Sequence, residues 1–376
     1  MPIIQLPASA TKERNILRTI DVLSAVVPDG MKKSIQFFQT SVDGLFSKRA
    51  EAIEKNARRI PDDVHLTIHA PFSPTAPQQG YNLSDPQGAR LLRDTCMLAQ
   101  RIGCNSVVAH FNTLYNHPES GMAPLWNREW LSSKVVYEKI VRPTFDHIIS
   151  IAESTNCHIA FENMPMPIHG DVTTDLKQIF FDPCMASFEF LSLFVDEFSS
   201  EKNIGLCFDV SHYGLMSGIV NRTLNGRQAI RSNELEKSGL YQLYPEIIGQ
   251  QPGIVTALSQ LMRKKKIFEV QLADYGALWE PSIGGRRGCL LEEGVGILEG
   301  AGGIEILKAA VLVAEEHGKI PLAFDIDVDD PITMTRQIMG VQMFLDFLKD
   351  ERAFQEELCQ DKQGLLRRYE KSAKMI

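Results

Sequence analysis

The chain lacks the sequence features of a membrane or secreted protein. No uninterrupted apolar stretch approaches the length of a membrane span, and the opening residues, MPIIQLPASATKER, do not follow the pattern of a secretory signal. The seven cysteines include no CxxC pair, which indicates reduced thiols and disfavours a cysteine-bound zinc site. We therefore expect a cytoplasmic protein that does not contact a membrane.

Positive charge is also scarce. The sequence has 39 Lys and Arg against 47 Asp and Glu, a net charge of −8. Nucleic acids and anionic membrane surfaces attract a basic face, so we expect neither as a partner. Charged residues make up only 23% of the chain while hydrophobic residues make up 44%, which predicts a large buried core. There is no internal repeat and no low-complexity tract.

What the chain does have is a recurrent pattern of apolar runs that stop on an ionisable or amide side chain. Each run is short and rich in Val, Ile and Phe, which is typical of a strand buried on both faces. The six runs are VHLTIHAP (His69), SVVAHF (His110), HIAFEN (Glu162), IGLCFDVSH (Asp209 and His212), IFEVQLAD (Gln271 and Asp274) and PLAFDID (Asp325 and Asp327).

Segments long enough for a helix separate these runs, so the order is strand, helix, strand, helix. Adding SIQFFQT (residues 34–40) as a first strand and VGIL (residues 295–298) as a weak seventh strand gives eight. This pattern predicts a single (β/α)8 barrel over residues 34–330, with an insertion on its catalytic face at about 213–250. We expect residues 1–33 to form a helical lead-in, and residues 331–376 to form extra helices packed on the barrel.

Carboxylates that end buried strands require a partner. A buried carboxylate must be solvated, paired or bound to a metal, and Glu162 and Asp209 fall at the same place in consecutive strand–helix units. The alternative is a structural ion pair or a helix cap. His69 and His110 end two successive strands and are either core histidines or members of the same site. Histidines and carboxylates delivered to one barrel mouth form a typical ligand set for a divalent metal.

The ordered motifs HAPF, VAHF, FEN and FDVSH resemble the xylose isomerase-like TIM-barrel superfamily, over about residues 34–327. That superfamily includes sugar isomerases and epimerases and the endonuclease IV group of nucleases. In the endonuclease IV branch, the resemblance implies that His69, His110 and Glu162 hold one metal. A second metal would use Glu162 and Asp209 with a histidine and a glutamate from later strands, and His212 would join an Asp-x-His pair at a third.

The chain departs from this pattern in three places. Gln271 stands where the family usually has the histidine, and Asp325 stands where it has the glutamate. The Asp-x-His pair is missing, and the corresponding loop reads GGRRGCLLEE. Oxygen ligands shift preference away from Zn²⁺ and toward Mn²⁺ or Mg²⁺. The expected metal ligands are Glu162, Asp209, Gln271, Asp325, His69 and His110.

The leading hypothesis is a divalent-metal-dependent isomerase or epimerase of a sugar, sugar phosphate or sugar acid that transfers a proton next to a carbonyl. By resemblance to the epimerases, Glu162 and Asp325 would be the acid/base pair. His212 would orient the substrate or bind a second ion. Arg286 and Arg287, flanked by glycines, would bind a phosphate or carboxylate, unless they belong to a solvated loop.

Two other functions stay open. One is metal-dependent phosphodiester hydrolysis of the endonuclease IV type, which the acidic pI of about 5.7 disfavours. The other is a barrel that has lost catalysis and serves as a binding module, which the substitution at Gln271 would allow. The expected partner in the leading hypothesis is a small sugar-like molecule, and a homo-oligomer is compatible with the sequence.

Overall fold

Eight parallel strands close into a barrel in this computed structural model, which describes residues 2–38, 48–70, 86–110, 142–163, 187–221, 250–278, 290–316, 319–325 and 331–376. The closure occurs at the first strand, where Gln5 pairs with Ser34 on one side and with Ala323 on the other. The predicted (β/α)8 barrel is therefore confirmed. The barrel strands, in their order around the barrel, are β1 (Ile3–Ser9), β2 (Lys32–Phe38), β3 (Val64–His69), β4 (Ser106–His110), β5 (His158–Glu162), β6 (Ile204–Asp209), β7 (Ile267–Gln271) and β10 (Pro321–Ala323).

Helices follow the strands, and a two-stranded hairpin follows β7. The hairpin is antiparallel and consists of β8 (Asp274–Leu278) and β9 (Leu290–Val295). The helices in the described part are α1 (Glu13–Val26), α2 (Lys48–Ala57), α3 (Pro86–Arg101), α4 (Arg142–Thr155), α5 (Phe188–Glu197), α6 (Val210–Val220), α7 (Ile254–Met262), α8 (Ile304–Glu316), α9 (Pro331–Lys349) and α10 (Glu351–Ala373). None of these described helices is both long enough and apolar enough to cross a membrane.

The first barrel strand differs from the prediction. Residues 1–33 were expected to be a helical lead-in, but Ile3–Ser9 is β1, which pairs with both β2 and β10. The run IIQLPAS hides its strand character because Pro7 cannot donate to the ladder and Gln5 and Ser9 interrupt the apolar pattern. The barrel thus begins at Ile3. The six strands predicted from residues 34–40 to Gln271 are therefore the second to seventh strands of the barrel rather than the first to sixth.

The weak seventh strand predicted over residues 295–298 is wrong. Val295 ends hairpin strand β9, and the backbone then turns at Leu298, which has a φ of 69°. Ile297 and Leu298 are buried because they pack against the core, not because they extend a sheet. An apolar run of this length does not distinguish a strand from a buried turn. Because one predicted strand is gained and one is lost, the total remains eight.

Two C-terminal helices lie where the sequence predicted them. Helices α9 and α10 pack together through Phe347 and Phe354, whose ring centroids are 5.4 Å apart. Tyr369 Oη donates to Asp346 Oδ2 at 2.6 Å, which ties the end of α10 to α9. The predicted insertion begins inside α6, and its residues 222–249 lie outside the described residues.

Candidate metal centre

Five of the six predicted strand-end residues are the last residues of consecutive barrel strands. Because the strands are parallel, their carboxyl ends meet at one mouth of the barrel. β10 is shorter and ends at Ala323, so Asp325 follows it by two residues. The five strand-terminal residues are His69, His110, Glu162, Asp209 and Gln271.

Glu162 is at the centre of the cluster. Its Oε2 lies 3.0 Å from His69 Nε2 and 3.4 Å from His110 Nε2. Its other oxygen, Oε1, lies 3.2 Å from His212 Nδ1. A single buried carboxylate therefore faces three imidazole rings that come from three different parts of the chain.

The hydrogen bond that His69 makes to the backbone constrains its other ring nitrogen. His69 Nδ1 lies 2.8 Å from the carbonyl oxygen of Ala70, which can only accept, so Nδ1 carries the proton. Nε2 then faces Glu162 Oε2 either as the second N–H of an imidazolium or with its lone pair. A lone pair beside a carboxylate oxygen requires a cation between them. Metal-binding histidines are typically oriented by such a hydrogen bond from the second nitrogen.

Burial and the neighbouring charges shift the pKa values of the cluster residues in opposite directions. Burial works to raise the pKa of Glu162, but the imidazoles of His110, His69 and His212 outweigh it and hold that pKa well below its ordinary value. Burial works to lower the pKa of His69, but the hydrogen bond and charge of Glu162 raise it. Burial lowers the pKa of His110 and raises that of Asp209. The cluster therefore contains an ionised glutamate even though its side chain is almost fully buried.

Asp209 and His212 are held by the turn that begins α6. Asp209 Oδ1 accepts from the backbone N–H of His212 and from Ser211 Oγ, both at 2.8 Å. Oδ2 is directed to the other side and lies 3.7 Å from His212 Nε2. One oxygen of Asp209 is thus used to form the turn, and the other is available to the site.

Asn163 orients this second part of the cluster. Its side chain donates to Asp209 O at 2.9 Å and accepts from Asp209 N at 2.7 Å, and its own carbonyl oxygen lies 2.9 Å from His212 Nδ1. Asn163 belongs to the motif FEN, and no role was predicted for it. The signal in the sequence was an amide placed one residue beyond a strand-end glutamate, and in the structure this amide is fully buried.

Gln271 lies close to both carboxylates. Its terminal amide is 3.1 Å from Asp209 Oδ2 and 3.3 Å from Glu162 Oε2, and it donates to both when its nitrogen faces them. Rotated by half a turn, the same amide directs its carbonyl oxygen toward the two carboxylates. Three oxygens would then converge, an arrangement that only a cation stabilises.

The donor atoms fit a divalent cation. His69, His110 and Glu162 each offer one atom, and these atoms lie within 4.8 Å of one another; Glu162, Asp209 and His212 do the same. Two donors bound to one ion at about 2.1 Å lie about 3.0 Å apart at a right angle and about 3.4 Å apart at the tetrahedral angle. The two distances from Glu162 to the strand histidines match these values. Glu162 belongs to both groups.

The remaining predicted site residues are not among the described members of the cluster around Glu162. Asp325 is half-buried beyond β10, and its charge contributes to raising the pKa of His69, so it faces the same mouth. Within the described residues, neither metal-binding group includes it. Arg286, Arg287 and Asp327 lie outside the described residues.

Comparisons with known proteins agree with this architecture. No curated protein is significantly similar in sequence. A D-tagatose 3-epimerase-like protein is similar in structure, with a TM-score of 0.52, 16% identity, and coverage of 93% of this chain and 99% of that one. D-allulose 3-epimerase from Methylomonas sp. gives a TM-score of 0.49 and 12% identity over 92% and 96% of the two chains. Endonuclease IV from Thermus thermophilus gives a TM-score of 0.48 and 12% identity over 93% and 100%.

The family model of the xylose isomerase-like TIM barrel matches residues 31–306. This match covers β2 to the start of α8, and so includes five of the strand ends that carry the candidate metal centre. It confirms the resemblance found from the motifs HAPF, VAHF, FEN and FDVSH. The chain belongs to the xylose isomerase-like TIM-barrel family.

Proposed function

We propose that the protein is a divalent-metal-dependent isomerase or epimerase that acts on a sugar, a sugar phosphate or a sugar acid. The observation that carries this proposal is the position of Glu162, an ionised carboxylate shared by two groups of metal-binding side chains at the mouth of a parallel barrel. Barrels of this kind carry their chemistry at that mouth. The family assignment agrees with a sugar substrate, since the structurally similar proteins include a D-tagatose 3-epimerase-like protein.

The residues proposed to hold the metal are those whose donor atoms converge. His69, His110 and Glu162 form one group, and Glu162, Asp209 and Gln271 form the other, with His212 beside them. Asp325 completes the proposed ligand set from beyond β10, the strand that pairs with β7. A divalent cation supplies Lewis acidity, which stabilises negative charge on substrate oxygens next to the reacting carbon.

Glu162 and Asp325 are the proposed proton-transfer pair. They follow β5 and β10, which β6 and β7 separate around the barrel, and a substrate bound between them would present a different face to each. Glu162 is ionised, as a general base must be, and acid/base transfer of this kind contributes roughly 10²–10⁴-fold. His212, Arg286 and Arg287 are proposed to bind the substrate.

A non-catalytic binding module is the second candidate, and one contact favours it. When the Gln271 amide donates to both Asp209 and Glu162, it satisfies the two carboxylates without a cation. Phosphodiester hydrolysis, the third candidate, would use the His69, His110 and Glu162 group but conflicts with the net charge of −8.

Proton exchange with solvent tests the proposal without knowledge of the substrate. The purified protein, loaded separately with Mn²⁺, Mg²⁺ or Zn²⁺, is incubated in D₂O with a panel of ketoses, sugar phosphates and sugar acids. We expect NMR to show deuterium entering the carbon next to the carbonyl of at least one of them. His158→Gln is the control, because this exposed histidine begins β5 at the opposite end of the barrel.

Each alternative gives a different result. Failure to bind any of the three ions would favour the binding module. Cleavage of DNA that contains abasic sites, without deuterium exchange into any sugar, would favour the hydrolase. Exchange that persists unchanged in Asp325→Asn would remove Asp325 from the proton-transfer pair.

A further inference from the structure

The layer of the barrel interior beneath the candidate metal centre is polar on one side. Side chains two residues apart on a strand face the same way, so the residues two positions before the strand ends form this layer. Beneath His110, Glu162 and Asp209 the layer is Val108, Ala160 and Cys207. Barrel interiors are normally filled by such non-ionic side chains, chiefly branched apolar ones. Beneath His69 and Gln271, however, it consists of Thr67 and Glu269, which are joined by Gln5, Ser34 and Gln36 from β1 and β2; all five are buried.

Hydrogen bonds connect these residues in two sets. Gln5 Oε1 accepts from Ser34 Oγ at 2.6 Å and from Thr67 Oγ1 at 3.3 Å. Gln36 Nε2 donates to Glu269 Oε1 at 2.7 Å. In this orientation the Gln5 oxygen faces the two hydroxyls, each of which donates to it. The nitrogen of Gln5 is therefore directed away from Ser34 and Thr67.

Two atoms of this layer have no hydrogen-bond partner among the described residues. They are Gln5 Nε2, a donor, and Gln36 Oε1, an acceptor, and both residues are fully buried. A buried amide group without a partner loses the hydrogen bonds that it makes to water in the unfolded chain. Strain, a catalytic role, or a bound water or ion accounts for unsatisfied groups of this kind in a native interior.

Both atoms belong to residues that adjoin Glu269. Gln36 is bonded to its carboxylate, and the Gln5 amide is close enough to act on the same carboxylate without forming a hydrogen bond of normal geometry. Between β1 and β7 lies β10, whose Ala323 pairs with both Gln5 and Gln271 and so faces the interior. Ala323 places only a methyl group between Gln5 and the β7 side chains.

We propose that one internal water molecule is bound between Gln5, Gln36 and Glu269. It accepts from Gln5 Nε2 and donates to Gln36 Oε1 and to the Glu269 carboxyl group. Three hydrogen bonds of this kind are typical of a buried water. A cation fits less well, because it would face the N–H of Gln5 and leave that donor unsatisfied.

This site lies beneath the candidate metal centre and is distinct from it. None of its three residues belongs to either metal-binding group found in the described part of the chain, and it does not depend on the proposed enzymatic function. The water completes this layer of polar side chains, which we call the floor. Two of the strands that contribute to the floor, β3 and β7, end at His69 and Gln271 in the candidate metal centre. Of the strands that end in the candidate metal centre, β7 is thus hydrated one layer below it.

A high-resolution crystal structure of the full metal-free chain is the direct test. We expect a water oxygen about 3 Å from Gln5 Nε2, from Gln36 Oε1 and from a Glu269 oxygen. Direct contact between the two amides, or an empty space between them, would overturn the proposal. An anomalous signal at the same position after soaking in Rb⁺ would show that a monovalent cation binds there instead.

Oxygen-17 relaxation dispersion of solvent water gives an independent count of long-lived internal waters. We expect Gln5→Met and Gln36→Met each to lower the count by one relative to the natural chain. Thr19→Val is the control, because Thr19 is a buried hydroxyl outside the barrel that already donates to Asn15 O at 2.9 Å. An unchanged count in both methionine variants would contradict the proposal. If neither variant folds, the crystal structure of the natural chain decides alone.

Discussion

The mouth of the barrel and the layer beneath it each contain a buried glutamate, and the two behave in opposite ways. Glu162 and Glu269 are both 2% exposed. The pKa of Glu162 lies well below its ordinary value, whereas burial raises the pKa of Glu269 to about 7. Three imidazoles face Glu162, but the hydrogen-bond partners of Glu269 among the described residues are neutral, and neighbouring charges act on it from further away.

The difference shows that burial alone does not make a metal site. The cost of burying a carboxylate is similar at both places, but only at the mouth do cationic or metal-binding partners offset it. Glu162 is consequently held as an anion, which can bind a cation. With a pKa of about 7, Glu269 is partly protonated at neutral pH, and it serves as a hydrogen-bonding group of the floor.

Removing the charge of Glu162 should produce the largest effect. We expect Glu162→Gln to weaken divalent metal binding by more than about 1,000-fold, about 4 kcal/mol, because this carboxylate belongs to both metal-binding groups. Isothermal titration with Mn²⁺ and Zn²⁺ measures the change. Glu269→Gln is the matched control, a buried glutamate one layer deeper, and should keep the metal stoichiometry. Equal losses of metal affinity in the two variants would show that Glu162 and Glu269 do not differ in their contribution to metal binding.

Titration of Glu269 should make the free energy of unfolding depend on pH. A rise in pKa from 4.5 to about 7 corresponds to about 3 kcal/mol. The folded chain holds this proton more tightly than the unfolded chain does, so the associated stability is complete below pH 4.5 and is lost as the pH rises to about 7. Glu269→Gln carries no such loss, and we expect it to be more stable than the natural chain at pH 8 by up to about 3 kcal/mol.

Urea denaturation of the metal-free proteins between about pH 4.5 and pH 8 tests this expectation. The advantage of Glu269→Gln should shrink toward zero at the acidic end of this range. Glu153→Gln, on an exposed face of α4, is the control and should follow the natural chain at every pH. An advantage that does not vary with pH would show that Glu269 does not titrate in this range.

Replacing Asn163 should have an intermediate effect on metal binding at the barrel mouth. We expect Asn163→Ala to weaken metal binding by about 10- to 100-fold, because it removes the two side-chain hydrogen bonds that hold the backbone of Asp209. Asn221→Ala is the control: Asn221 makes the same pair of backbone hydrogen bonds, but to Gln251, away from the cluster. Isothermal titration with Mn²⁺ measures the change, and the loss of affinity should appear only in the Asn163 variant.

The smallest expected effect concerns Gln271. Replacing it by histidine should shift preference from Mn²⁺ to Zn²⁺ by about tenfold, because imidazole is a better donor for zinc than an amide oxygen. Competitive titration of the two ions measures the shift. Gln271→Met, which removes the amide without adding an imidazole, separates the two causes. Coincident titrations in all three proteins would place Gln271 outside the coordination sphere, as a donor to the two carboxylates only.

The sequence by itself determined which side chains reach the barrel mouth. An apolar run that ends on His69, His110, Glu162, Asp209 or Gln271 is a local pattern, and parallel closure brings all such ends together. The C-terminal helices were predictable for the same local reason, since their periodicity lies within a few turns. The first strand was missed, because Pro7 and Gln5 break the local pattern on which the prediction depended.

Only the tertiary structure decided how those side chains meet. The sharing of Glu162 by two groups, the support that Asn163 gives to Asp209, and the two unpartnered amides around Glu269 in the described part of the chain are relations between strands far apart in sequence. They depend on the register and tilt with which the barrel closes, which no single strand encodes. Distances of 3.0 to 3.4 Å between side chains arise only when all eight strands are in place, and the chemistry depends on those distances.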